Sequence, residues 1–256
     1  MGIVSTWLAH PLTRGLSVDD PRTTLLRRRI IQEKSFLRRL YDEWYSLILD
    51  RLPMTHDVLE LGSGAGFLRE RLSGLITSEV FATPGVERVV DARELPFADQ
   101  ALDAIVMTDV FHHIPDVRPF FCEANRCLRP GGKVVMIEPW RTPWSEWVYT
   151  RLHHEPFLPA AERWELPAGG PLSVANGALP WMVFERDRER FAGEYPELCI
   201  RTIRPLMPLA YLLSGGVSLR GLLPGSAYPW VRRCERWLGE KRFGMFALIE
   251  LERLPT

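Results

Sequence analysis

Apolar positions run almost without interruption in three short stretches, Val58-Leu59-Glu60-Leu61, Leu102-Asp103-Ala104-Ile105-Val106-Met107-Thr108 and Val134-Val135-Met136-Ile137-Glu138. That pattern predicts strands buried in a sheet. Two further strands are predicted, one over Cys199 to Pro205, which alternates, and one over Phe243 to Leu251, where Phe246, Leu248 and Ile249 are apolar. Helical spacing appears elsewhere. Asp19-Asp20-Pro21 is a helix start, and Leu26, Ile30, Phe36, Leu37, Leu40, Trp44, Leu47 and Ile48 predict one long or broken amphipathic helix over Thr23 to Leu52, ended by Pro53. Leu68, Leu72, Leu75 and Ile76 predict a helix after the first strand; Phe184 to Tyr195 and Tyr228 to Leu238 predict two more, with a short one around Trp144 to His154.

The first strand ends in an acid, Glu60, followed by three glycines spaced two apart, Gly62, Gly64 and Gly66. Glycine serves where backbone must come close to a ligand or take positive φ, so this loop reads as a nucleotide-type cofactor site. A dinucleotide fingerprint, G-x-G-x-x-G, would need its third glycine where Phe67 stands; here it comes one residue early, which disfavours a nicotinamide dinucleotide.

E-x-G-x-G-x-G instead resembles motif I of the class I S-adenosylmethionine (SAM)-dependent methyltransferases, of the type 11 kind, and further landmarks follow in that family's order. Glu79 lies 19 residues after Glu60, at the end of a short, polar second strand over Ile76 to Phe81. Val89-Val90-Asp91-Ala92 resembles the third-strand segment, and Asp109-Val110-Phe111-His112-His113-Ile114-Pro115-Asp116 the loop after strand four. Asn125 to Glu138 reads as a helix end, a Pro-Gly-Gly turn and strand five, so that the resemblance covers residues 57 to 139. It implies a Rossmann-like, seven-stranded, mostly parallel α/β sheet with helices on both faces and an antiparallel last strand. It also implies SAM as cofactor, held by Glu60, Gly62, Ser63, Gly64 and Gly66 of the loop, by Glu79 on the ribose, by Asp91 and the backbone of Ala92 on the adenine, and by Thr108 at the end of strand four. Ala82 to Gly85 carries no long helix pattern, so the adenine side is expected to be built unusually.

The expected layout is a single domain: an N-terminal helical extension (1–52), the SAM-binding core (53–139), a substrate cap (140–184) and the completion of the sheet (185–256). A chain of 256 residues that is 46% hydrophobic can bury such a core. The cap is rich in proline, glycine and tryptophan and too long for an ordinary connection, which points to a lid or binding loop. Leu206 to Pro224 is apolar with a Gly215-Gly216 break; core packing, an acceptor wall and a membrane-touching surface all suit it. The N-terminal helix either packs on the sheet edge or brings Tyr41 or Tyr45 over the cofactor.

Lys+Arg 32 against Asp+Glu 32 gives a net charge of +0, which removes the field that nucleic-acid binders use. No leader pattern and no apolar run of 18 residues is present, so a cytoplasmic protein without a transmembrane segment is expected, with peripheral membrane contact left open. The cysteines form no C-x-x-C pair, and Cys122 and Cys127 would lie about 140° apart on a helix.

Methyl transfer to oxygen, nitrogen or carbon can proceed by positioning, with a base helping where the acceptor is a hydroxyl or an acidic carbon. His112 is the leading base candidate because its loop follows strand four; His154 and Glu155 are the cap-side alternative. Adjacent histidines on a helix diverge by about 100°, so His153-His154-Glu155 is expected to hold no metal. The function expected is methylation of a small-molecule or lipid- or sugar-like acceptor; the alternative is a non-catalytic SAM-binding or regulatory protein on the same fold. Neither the acceptor nor the oligomeric state is legible.

Overall fold

The computed structural model describes residues 12, 17, 19–52, 56–153 and 155–255. Asp20 caps the first helix, α1 (Pro21–Glu33), by accepting from Arg22 N, with Pro21 in the first turn where its missing N–H costs nothing. The helical region breaks at Lys34, and α2 (Ser35–Leu49) follows with Phe36, Leu37, Leu40, Trp44 and Ile48 buried on one face. The break has a purpose in the fold: the Lys34 ammonium leaves the helix axis to donate to the carbonyls of Gly216 and Leu219. Pro53, expected to end the helix, lies outside the described residues.

The sheet is seven-stranded, in the order β3-β2-β1-β4-β5-β7-β6. Its strands are β1 (Val58–Leu61), β2 (Ile76–Glu79), β3 (Arg88–Val89), β4 (Leu102–Thr108), β5 (Leu128–Pro139), β6 (Leu198–Leu206) and β7 (Phe246–Arg253). The first five pair in parallel, and β7 enters antiparallel between β5 and β6. Val58, Leu59, Ile105, Val106, Val134 to Ile137 and Leu248 to Ile249 have essentially no exposed surface, which is why these segments read as unbroken apolar runs. Helix α3 (Val117–Cys127) precedes β5; α4 (Pro143–Leu152) opens the segment after it. Helices α5 (Arg188–Glu194), α6 (Ala210–Ser214) and α7 (Tyr228–Leu238) follow. The single sheet and continuous core bear out the expected α/β architecture.

One expected element is missing. Leu68, Leu72, Leu75 and Ile76 do not share a helix: the chain makes one 3-10 turn at Leu68–Glu70, and Ile76 already opens β2. The periodic leucines are satisfied by packing of a compact turn, with Leu68 and Leu75 buried. Helix α2 lies against this turn: the Tyr45 ring meets Phe67 edge-on at 4.8 Å, Tyr45 Oη accepts from Phe67 N, and the Arg38 guanidinium sits 3.3 Å from the centre of the Phe67 ring. The N-terminal extension thus covers the place that a crossover helix would have taken.

Candidate active site

The glycine loop leaves β1 at Gly62, whose φ of 68° is a conformation that side-chained residues rarely adopt. Ser63 then pins the loop to β2: its N donates to Ser78 O, and its hydroxyl accepts from Ser78 N. At Gly64 the requirement is space. A Cβ there would lie 2.4 Å from Thr24 Cγ2 and 2.5 Å from Glu79 Oε1. The Glu79 carboxylate fills that gap, accepting from Gly64 N at 3.2 Å and from Val80 N at 3.0 Å. Burial raises the Glu79 carboxyl above its ordinary range, against the lowering effect of these two N–H groups. Burial likewise pushes Glu60 up to about 7, with the Glu79 charge adding to it.

A cavity of about 470 Å³ runs along the carboxyl ends of the strands. Gly62, Ala65, Glu79, Asp91, Ala92 and Thr108 line it, together with Thr24, Arg27 and Tyr41 of the N-terminal helices. Five of the residues expected at the cofactor, Gly62, Glu79, Asp91, Ala92 and Thr108, thereby meet around one space, and Tyr41 rather than Tyr45 supplies the N-terminal aromatic wall. Glu60, Ser63, Gly64 and Gly66 stand behind that wall, where they shape the loop. Asp91 is engaged locally, accepting three hydrogen bonds from the Arg93 guanidinium and one from Arg93 N.

Beyond Thr108 the cavity reaches a cluster of ionisable groups set by Glu138, the last acid of β5. Glu138 Oε1 accepts from Val110 N and Phe111 N at 2.8 Å each, and Oε2 lies 2.7 Å from His112 Nδ1. This carboxylate fixes the tight turn over Phe111–His113. Asp109 enters the turn at φ 62°, a strained conformation for a residue with a side chain, held by its N–H donating to Ile137 O. Asp109 lines the cavity, and burial pushes its carboxyl up to about 7.

His112 is a correction to the expectation of a base facing the acceptor. It is completely buried and does not line the cavity; the turn aims it back at Glu138, and its Nε2 lies 3.6 Å from Glu155 Oε2. Burial would lower the His112 imidazole, but Glu138, Glu155 and Asp109 overcome that and hold it well above its ordinary value. Burial would raise Glu155, and His112 with its neighbouring histidines reverses this and lowers it. Glu155 does face the cavity, as does His113, whose ring burial drives down to about 3. His154 lies outside the described residues.

The segment after β5 folds over this end. Asn176 N donates to His112 O, His113 Nδ1 lies 3.0 Å from Val174 O, and Asp19 Oδ1 accepts from Leu172 N. Tyr149, Phe157, Tyr211 and Phe246 form the aromatic wall, so both the cap and the segment around α6 contribute lining. Sequence reasoning missed Asp109, His113 and Glu138. A lone acid ending the apolar run Val134 to Ile137 was the available signal for Glu138.

With this geometry in place the comparisons are informative. Residues 59–136 match the family model described as a methyltransferase domain. A probable S-adenosylmethionine-dependent methyltransferase of Mycolicibacterium smegmatis is 32% identical over 152 residues, covering 53% of this chain and 59% of that protein. A demethylmenaquinone methyltransferase of Tropheryma whipplei is 26% identical over 98 residues, covering 32% of this chain and 41% of that one. The chain thus spans about half the length of the curated relatives it matches. Geranyl diphosphate C-methyltransferase of Streptomyces coelicolor A3(2) superposes with a TM-score of 0.53 at 16% identity, covering 96% of this chain and 87% of that one. That likeness establishes the fold. Residues 59–136 thus resemble a methyltransferase domain, set in a fold shared with a solved C-methyltransferase. Among the described residues no helix is long and apolar enough to cross a membrane.

Proposed function

We propose that this protein binds SAM along the β1, β2 and β3 end of the cavity and transfers its methyl group to a small, partly apolar acceptor held under the cap. The observation that carries this reading is the continuity of one cavity: glycine-loop and acidic residues line one end, and aromatic side chains with Asp109 and Glu155 line the other. Its volume lies in the range of small-molecule sites.

In this reading Glu79 takes the ribose hydroxyls, Asp91 and Ala92 N the adenine, and the Gly62 to Gly66 loop passes under the methionine part. Aromatic faces of Tyr149, Phe157 and Tyr211 favour a ring-bearing or lipid-like acceptor. Where the acceptor is a hydroxyl or acidic carbon, Asp109 is the proton acceptor, being a cavity-lining carboxylate whose affinity for a proton suits neutral pH. His112 acts through its contacts, positioning the turn and Glu155. Residues 140–184 act as the cap that selects the acceptor, within a single domain spanning 1–256.

The reading is tested by calorimetry with SAM and S-adenosylhomocysteine, followed by incubation with labelled SAM and fractionated host extract. Binding of both ligands with a labelled small product is the expected result. Absence of heat with either ligand, on folded protein, would overturn it; binding without transfer to any fraction would favour the non-catalytic alternative.

A further inference from the structure

We propose that His112, His113 and Glu155 form a binding site for a divalent transition-metal ion of the zinc or iron(II) type, at the acceptor end of the cavity. Neighbouring histidines diverge on an α-helix, but these two sit on a 3-10 turn whose rings are 4.2 Å apart, centre to centre. One ligand atom from each of the three residues lies within 4.8 Å of the others.

The orientation of the imidazoles is the second observation. Each histidine has its Nδ1 committed elsewhere: His112 Nδ1 to the Glu138 carboxylate at 2.7 Å, and His113 Nδ1 to the Val174 carbonyl at 3.0 Å. Partners of this kind on one ring nitrogen are what metal-ligating histidines use to present the other nitrogen's lone pair. His112 Nε2 is fully buried and has no hydrogen-bond partner, and an unmet polar atom in such a place is costly unless something binds it. It points toward Glu155 Oε2 at 3.6 Å. That is too long for a hydrogen bond and close to the ~3.4 Å separating two ligands that each lie about 2.1 Å from a tetrahedral ion. Two imidazoles and one carboxylate are the donor set of zinc sites with an open position and of mononuclear iron(II) sites. Glu155 and His113 border the cavity, so the open position faces it. An ion there would polarise an acceptor oxygen; that role rests on the methyltransferase reading, whereas the binding does not.

The test uses the untagged full chain, stripped with a chelator, dialysed against Zn²⁺ and assayed for bound metal by mass spectrometry, with Co²⁺ titrated in parallel and read by its visible absorption. The expected result is about one Zn²⁺ per chain and a Co²⁺ spectrum of nitrogen and oxygen ligation. His113→Gln and Glu155→Gln should each lose the bound ion, and Glu138→Gln should weaken it by about 10–100-fold. Wild type that retains no more Zn²⁺ than His113→Gln and Glu155→Gln, with the same Co²⁺ spectrum, would overturn the site. SAM calorimetry on the same samples separates the two proposals: metal binding without SAM binding sinks the methyltransferase reading alone, and SAM binding without metal sinks the metal site alone. Retained SAM binding also shows that a variant is folded.

Discussion

Replacing Glu60 with glutamine removes a carboxyl that the fold holds against its own charge. The side chain is 4% exposed, and burial, reinforced by the Glu79 carboxylate, pushes it from the ordinary 4.5 up to about 7. A folded-state value above the unfolded one means that the folded chain binds the proton more tightly. The stability this contributes is complete below about pH 4.5 and is lost as pH rises through about 7. A separation of roughly 2.5 pH units at 1.36 kcal/mol each amounts to about 3 kcal/mol. Urea unfolding of ligand-free wild type and Glu60→Gln, repeated from about pH 5 to pH 8, should therefore show the variant gaining up to about 3 kcal/mol on the wild type across that span. Asp109 titrates in both proteins and largely drops out of the difference. The same carboxyl links proton and cofactor. A cationic ligand near Glu60 favours its charged form, so SAM binding near pH 7 should release a proton, seen as a buffer-dependent heat that is smaller in Glu60→Gln. Stability curves that stay parallel across the pH range would refute the argument at its root.

Gly64→Ala drives a methyl into Thr24 and Glu79, and should cost about 1–3 kcal/mol of stability by urea unfolding and weaken SAM; a variant as stable as wild type would mean that the loop has room the structure does not show. Glu79→Ala and Asp91→Ala should each weaken SAM by about 1–3 kcal/mol in calorimetry. Unchanged affinity in either would move that contact to another residue. Asp109→Asn should lower turnover by about 10²–10⁴-fold with SAM affinity nearly unchanged, once an acceptor is in hand; a fully active variant would leave catalysis to positioning.

The parts of the fold that were legible are those whose sequence signal is set by burial alone. Strands β1, β4, β5 and β7 are buried along most of their length, so most of their positions are apolar and the runs stand out in the sequence. The turn after the glycine loop was misread because Leu68 and Leu75 are buried, and Leu72 half-buried, without a helix, and helical spacing cannot separate those two outcomes. The cavity wall was partly legible, since Glu79, Asp91, Ala92 and Thr108, which line it, sit at or near strand ends that the motif order fixes. The far end was not. His113 and Glu155 meet only because the cap folds back over the 3-10 turn, a contact between segments that carries no local signature. His112 illustrates the same limit, for a histidine beside a strand end reads identically whether it faces a cavity or a buried glutamate.

The single turn that replaces the crossover helix also sorts ligands by charge. A full helix would direct a positive dipole end at whatever lies on the loop, which suits phosphates. Here that end is absent, and the loop is backed instead by two carboxyls, Glu60 and Glu79. In the proposed reading, such a floor, ionising as a cation arrives, suits a ligand carrying a sulfonium and an ammonium better than a pyrophosphate. On that reading, the shortened connection would favour SAM over phosphate-bearing nucleotides before any atom of the adenosine is read.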